Sequence, residues 1–184
     1  LRQLGLGYAN LGALLMALGL PYDSEQGRAW AAAITSLMTG SAYAASARTA
    51  ARVGPFDGFA GEADAMLGVL EMHRQAARNV DSHAVVPADL IDAGRATWDT
   101  VVRDAADHGV RNSQAVVIAP TGTIGLAMDC DTTGIEPDLA LVKTKKLVGG
   151  GTMSIVNQTV PRALRRLGYS PQQVDDIVSY IDEH

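Results

Sequence analysis

Thiols are almost missing: Cys130 is the single cysteine among 184 residues. No internal disulfide can form and no cysteine-rich metal site can be assembled, which fits a reducing, cytoplasmic setting. Aromatic residues are also sparse, at 5%, so tight packing of small side chains is expected rather than an aromatic-lined binding face. Positive charge is short as well. Lys and Arg total 15 against 20 Asp and Glu, a formal charge of −5. The basic clusters Lys143-Lys145-Lys146 and Arg162-Arg165-Arg166 are brief, so nucleic acid and anionic membranes are not expected partners. No apolar run approaches the roughly 18–20 residues that span a bilayer. The histidines, His73, His83, His108 and His184, form no i, i+4 pair and no HExxH pattern, and no metal site is expected. The N-terminus has no secretory pattern and "VDDIVSYIDEH" stops inside a helical one. Both ends are read as cuts, which makes residues 1–184 an internal portion of a longer chain.

What is present is apolar content of 47%, enough for a sizeable core. Leu4, Leu11, Leu14, Leu15 and Leu18 fall mostly at helical spacing over 3–19. Asp23 or Ser24 is a plausible N-cap for a long Ala-rich helix over about 24–50. Gly54-Pro55 and Asp57-Gly58 mark a loop over 52–61. A helix over 62–79 places Met66, Leu67, Leu70 and His73 on one face, with His73 as a core or boundary residue. Residues 82–94 read as irregular. A helix over 95–108 turns Trp98, Val101, Val102 and Ala105 to one side. A strand is expected over 114–119, then a loop and a short segment over 124–128. The stretch from Asp131 to Asn157 reads as extended and turn-rich. A helix follows over 159–168. The last helix opens with Ser170 as cap, Pro171 at its first position and Gln173 at its third, a capping box.

The chemistry concentrates at "APTGTIG". A strand that ends in Pro120-Thr121-Gly122-Thr123 and leads into a short helix turns backbone N–H groups toward an anion. Two threonine hydroxyls add hydrogen-bonding capacity, and Gly122 permits close approach. The loop has no Lys or Arg and is not a Walker A sequence. A phosphate cradle and an ordinary tight turn both satisfy these residues. "GLGYANLG" fails as a dinucleotide fingerprint, because Asn10 stands where Gly or Ala is needed; close helix packing is the better account. Cys130, between Asp129 and Asp131, reads as a structural cysteine. Glu136 either lines a site near the loop or caps a turn. The segment "KTKKLVGGG" reads as a solvated basic edge before a phosphate contact, and Glu62, Asp64 and Glu71 as a solvated helix face.

Taken together, these pieces resemble the vitamin B12-dependent (class II) ribonucleotide reductase large chain. The residues that carry the resemblance are "LGLGYANLGALLMALGLPYDSEQGRAWAAAITSLMTGSAYAASARTA", "GPFDGFAGEADAMLGVLEMHRQA", "NSQAVVIAPTGTIGLAMDCDTTGIEPDLALVKTKKLVGGG" and "IVNQTV". The joint occurrence of APTGTIG, TTGIEP and KKLVGGG is specific. The resemblance implies an α/β fold: residues 1–184 as a C-terminal portion of a ten-stranded α/β barrel, mostly helical here. It implies that Pro120, Thr121, Gly122, Thr123 and Ile124, with Gly125 adjacent, hold the phosphates of a ribonucleoside diphosphate or triphosphate. It implies reduction at the ribose 2′ carbon, with adenosylcobalamin supplying a radical that passes to a cysteine thiyl. A cysteine pair then delivers electrons and is reset through a thioredoxin-like partner, and a homodimer is a candidate assembly. The family's Asn-x-Cys-x-Glu motif and its redox cysteines are absent, and Cys130 matches none of their positions. No catalytic residue is therefore expected in these positions, and a stand-alone nucleotide-binding module without redox chemistry is the alternative.

Overall fold

The computed structural model describes residues 1–80, 85–146 and 149–183, without the side chains of 145, 152–155 and 182. In chain order its elements are α1 (Leu11–Leu18), α2 (Glu25–Val53), a 3-10 turn (Phe59–Gly61), α3 (Ala63–Arg78), α4 (Ala88–His108), α5 (Gly122–Ala127), β1 (Val142–Lys146), β2 (Thr152–Val156), α6 (Val160–Arg166) and α7 (Pro171–Glu183). They divide between two compact units, one of Leu1–Gly7 with Arg28–Val117, the other of Tyr8–Gly27 with Ile118–His184.

The first unit is built on helices. Its core joins Tyr43, Ala44 and Ala47 of α2, Leu70 and Ala77 of α3, and Trp98, Val101 and Ala105 of α4, with Phe56, Val110 and Ala115. Leu70 and Val101 are fully buried, each contributing about 1.5–3 kcal/mol. The helix faces read from periodicity are the ones that pack. Trp98 also donates its indole N–H to Ser36 O at 3.0 Å. Helix α4 begins at Ala88, seven residues before the expected start. The stretch 82–94 reads as irregular, yet Pro87 sits just before the first turn and Gly94 is buried inside the helix against Ser36. Residues 82–84 of the stretch expected to be irregular, including His83, lie outside the described residues.

Residues 1–7 are not helical. They run alongside 112–117, with a parallel bridge between Leu6 and Val116. Leu6 N–H donates to Ala115 O at 3.0 Å and Val117 N–H to Leu6 O at 2.9 Å. Glycine lets the two backbones meet: a Cβ at Gly7 would lie 2.7 Å from Val117 O. The glycine cluster therefore does serve close packing, but Gly5 packs on the Val117 side chain and Gly7 on its backbone, rather than helix on helix. The leucine spacing that suggests a helix from residue 3 belongs to α1 alone.

His73 stacks on Trp98 with ring centroids 5.3 Å apart, and burial pushes its pKa below the ordinary 6.5. The folded state therefore binds this proton less readily than the unfolded chain. Stability from His73 is present above pH 6.5 and is lost as pH falls from 6.5 through the depressed folded value. In melts across pH 8 to 5, the Tm advantage of the parent protein over its His73→Gln variant should shrink on acidification. A difference that stays constant would contradict this assignment.

The second unit holds α1, α5, β1, β2, α6 and α7. Ser24 Oγ accepts from Gly27 N–H at 3.0 Å, the cap expected for α2. Strands β1 and β2 pair antiparallel, Val142 opposite Val156 and Lys146 opposite Thr152. Gly149, Gly150 and Gly151 in the connection all have positive φ. The capping box of α7 forms in both directions: Gln173 N–H donates to Ser170 Oγ and Ser170 N–H to Gln173 Oε1. Among the described residues, strand pairing amounts to this hairpin and the Leu6–Val116 bridge. No barrel closes, since closure needs a continuous ring of tilted, paired strands. No described helix is long and apolar enough to cross a membrane.

Candidate functional site

The Pro-Thr-Gly-Thr segment sits at the start of α5 in the second unit. Thr121 precedes the helix in the left-handed region, with φ 53° and ψ 36°. The first intrahelical bond runs from Gly125 N–H to Thr121 O at 2.9 Å. The N–H groups of Gly122, Thr123 and Ile124 therefore precede the helix's own ladder. All three residues are exposed, as is Pro120, whereas Gly125 is buried. Ile124 is 60% exposed, an apolar side chain standing free beside the donors. Thr121 is half-buried and its hydroxyl donates to Ala119 O at 3.0 Å. Of the two threonine hydroxyls read as phosphate donors, Thr121 therefore braces the loop and Thr123 faces solvent.

Two features support the loop from beneath. Gly134, with φ 51°, places its α-carbon where a Cβ would lie 2.9 Å from Ala119 O and would collide with Glu136 Oε2. Glu136 N–H closes a turn onto Thr133 O. Its carboxylate lies over Gly134, and Oε2 is buried without a hydrogen-bond partner among the described residues. Glu136 is thus both a turn residue and a neighbour of Ala119, where the loop begins. Gly12 of α1 packs equally tightly against Thr132 and Glu136 O. Thr132, 1% exposed, accepts from Ala13 N–H through Oγ1 and donates its own N–H to Asn10 Oδ1.

The chain after α5 joins a polar cluster that periodicity does not reveal. Lys143 does not point outward as part of a basic edge. Its ammonium bonds Asp131 O and pairs with Asp138 Oδ1 at 2.5 Å, a close ion pair outside hydrogen-bond alignment. Asn157, 3% exposed, donates to Asp138 and accepts from Thr159 N–H at 2.9 Å. That last bond is a side-chain turn, and an Asn two residues before the helix cap Thr159 is its sequence signal. Lys146 is exposed. Leu147 and Val148 of KKLVGGG lie outside the described residues. Cys130 is partly buried and free, and its sulfur faces Met128 O at 4.0 Å. No group of three or more metal-ligating side chains gathers among the described residues.

The whole of residues 1–184 matches the family model described as ribonucleotide reductase, barrel domain. A vitamin B12-dependent ribonucleotide reductase of Streptantibioticus cattleyicolor is 58% identical over 183 residues, covering 100% of this chain and 31% of that one. That of Streptomyces coelicolor is 58% identical over 188 residues, 100% of this chain and 19% of the relative. An Agrobacterium fabrum protein of the same name is 52% identical over 197 residues, 16% of its length. The chain thus spans less than a third of each of these relatives.

Proposed function

Because the chain belongs to the ribonucleotide reductase barrel-domain family, we propose that it is part of an adenosylcobalamin-dependent ribonucleotide reductase and carries the loop that grips the substrate's phosphates. The names of relatives 50–58% identical across nearly all of this chain support the cobalamin-dependent activity. The substrate is a ribonucleoside diphosphate or triphosphate, reduced at the 2′ carbon by a thiyl-radical mechanism in which a cysteine pair supplies the electrons. The hairpin and bridge described here would join strands from the rest of the protein in a ten-stranded barrel. The reductant is a thioredoxin-like protein, the assembly a homodimer and the setting cytoplasmic.

One observation carries the assignment of the phosphate grip to Pro120, Thr121, Gly122, Thr123, Ile124 and Gly125. It is the exposed turn in which three N–H groups precede the first helical bond, in a segment that carries no acidic residue from 120 to 125. Such donors suit an anion because they need no reorganisation to meet it. Adenosylcobalamin, when bound, supplies the radical that begins the reaction. Among the described residues no donor set marks a corrin contact. What these residues do is bind and orient the nucleotide, which is a large part of such catalysis.

The full-length protein should form deoxyribonucleotide from ribonucleotide with a dithiol reductant only when adenosylcobalamin is added. Equal product without cobalamin would overturn the cobalamin assignment.

A further inference from the structure

The chain leaving α5 is fastened by one polar network. Met128 N–H bonds Ile124 O and Cys130 N–H bonds Gly125 O at 3.0 and 2.9 Å, so the turn after α5 is closed onto the helix itself. Asp131 follows directly. One carboxylate oxygen accepts Gln158 N–H at 2.9 Å and the other accepts the Thr159 hydroxyl. Its carbonyl takes the Lys143 ammonium, which also pairs with Asp138. Asp138 in turn holds Asn157, and Asn157 holds Thr159 N–H. The residues after the loop, strand β1 and the approach to α6 thus form a closed ring. Helix α5 is only six residues long. A rigid anchor at its carboxyl end therefore fixes the N–H groups at its other end.

Resting on the phosphate-loop reading above, we infer that Asp131 is a positioning residue for substrate phosphate, acting through α5 and held in place by Thr159. A purely structural Asp131 would serve only the start of α6. The two roles differ in what they move. Positioning changes phosphate affinity, whereas support of α6 changes stability alone.

The test uses the full-length enzyme, with inorganic pyrophosphate as a competitor that probes the phosphate subsite without the nucleoside. Asp131→Ala and Thr159→Val should each raise nucleotide KM and the pyrophosphate inhibition constant by on the order of tenfold, with kcat changed less than about threefold. Thr159→Ser should restore both. Should Asp131→Ala fail to fold, Thr159→Val, which removes one hydroxyl at nearly constant volume, carries the test. Unchanged KM and pyrophosphate inhibition alongside a lowered Tm would overturn the inference. Gly122→Ala run in parallel separates the levels. If it leaves both constants unchanged, the phosphate-loop reading falls and this inference with it. If it raises both while the Asp131 and Thr159 variants do not, only this inference falls.

Discussion

Gly122→Ala in the full-length enzyme should fold normally and yet raise the nucleotide KM by at least about tenfold. A Cβ at Gly122 would meet nothing within 4 Å, and its φ is not positive. Alanine there is also the better helix former, by up to about 1 kcal/mol. The chain itself therefore gives no reason for glycine at this position. Phosphate does, because a ligand bound to the N–H groups of 122–124 would lie where the methyl group would stand. Thr123→Val should act in the same direction. A lost hydrogen bond to a charged group is worth about 1.5–3 kcal/mol, or roughly one to two powers of ten in KM. Thr121→Val should act more weakly and through the loop's shape, since that hydroxyl is already given to Ala119 O. Steady-state kinetics check all three, and a silent Gly122→Ala would return the segment to an ordinary turn.

Gly134→Ala should be the most damaging single methyl in the second unit. With φ at 51° an L-residue is strained by about 1–2 kcal/mol. The added Cβ would stand 2.9 Å from Ala119 O, a backbone atom that cannot turn aside, and would strike Glu136 Oε2 as well. Glu136 can swing away, but Ala119 leads into Pro120 and the loop. We expect a loss of roughly 2–4 kcal/mol in stability and about a hundredfold loss in kcat/KM from a displaced loop. Thermal melts and initial rates measure the two parts. Gly134→Ala with wild-type melting and wild-type kcat/KM would mean that the support beneath the loop is not as described.

The sequence made the helices legible where one face must be apolar. Leu70 with Ala77, and Trp98 with Val101 and Ala105, sit at helical spacing and form the observed core. Caps were equally legible, because Ser24, Ser170 and Gln173 act on neighbours three residues away. The position of the loop at 120–125 was visible as punctuation, an apolar run broken by Pro-Thr-Gly-Thr. What stayed hidden depends on distant partners. Residues 1–7 pair with a segment more than a hundred positions later, and no local period encodes that. Lys143 looked like a surface charge until its partners, Asp131 O and Asp138, were brought beside it. The role of Thr121 changed for the opposite reason: its acceptor is two residues away, and only the left-handed backbone turns the hydroxyl to it.

We propose above all that residues 120–125 hold the substrate's phosphates. The most direct test is a crystal structure of the full-length protein with a ribonucleoside diphosphate. Terminal phosphate oxygens within about 3 Å of the N–H groups of Gly122, Thr123 and Ile124 are predicted. Phosphates bound by another segment, with this loop beyond hydrogen-bond reach, would make residues 120–125 an ordinary turn.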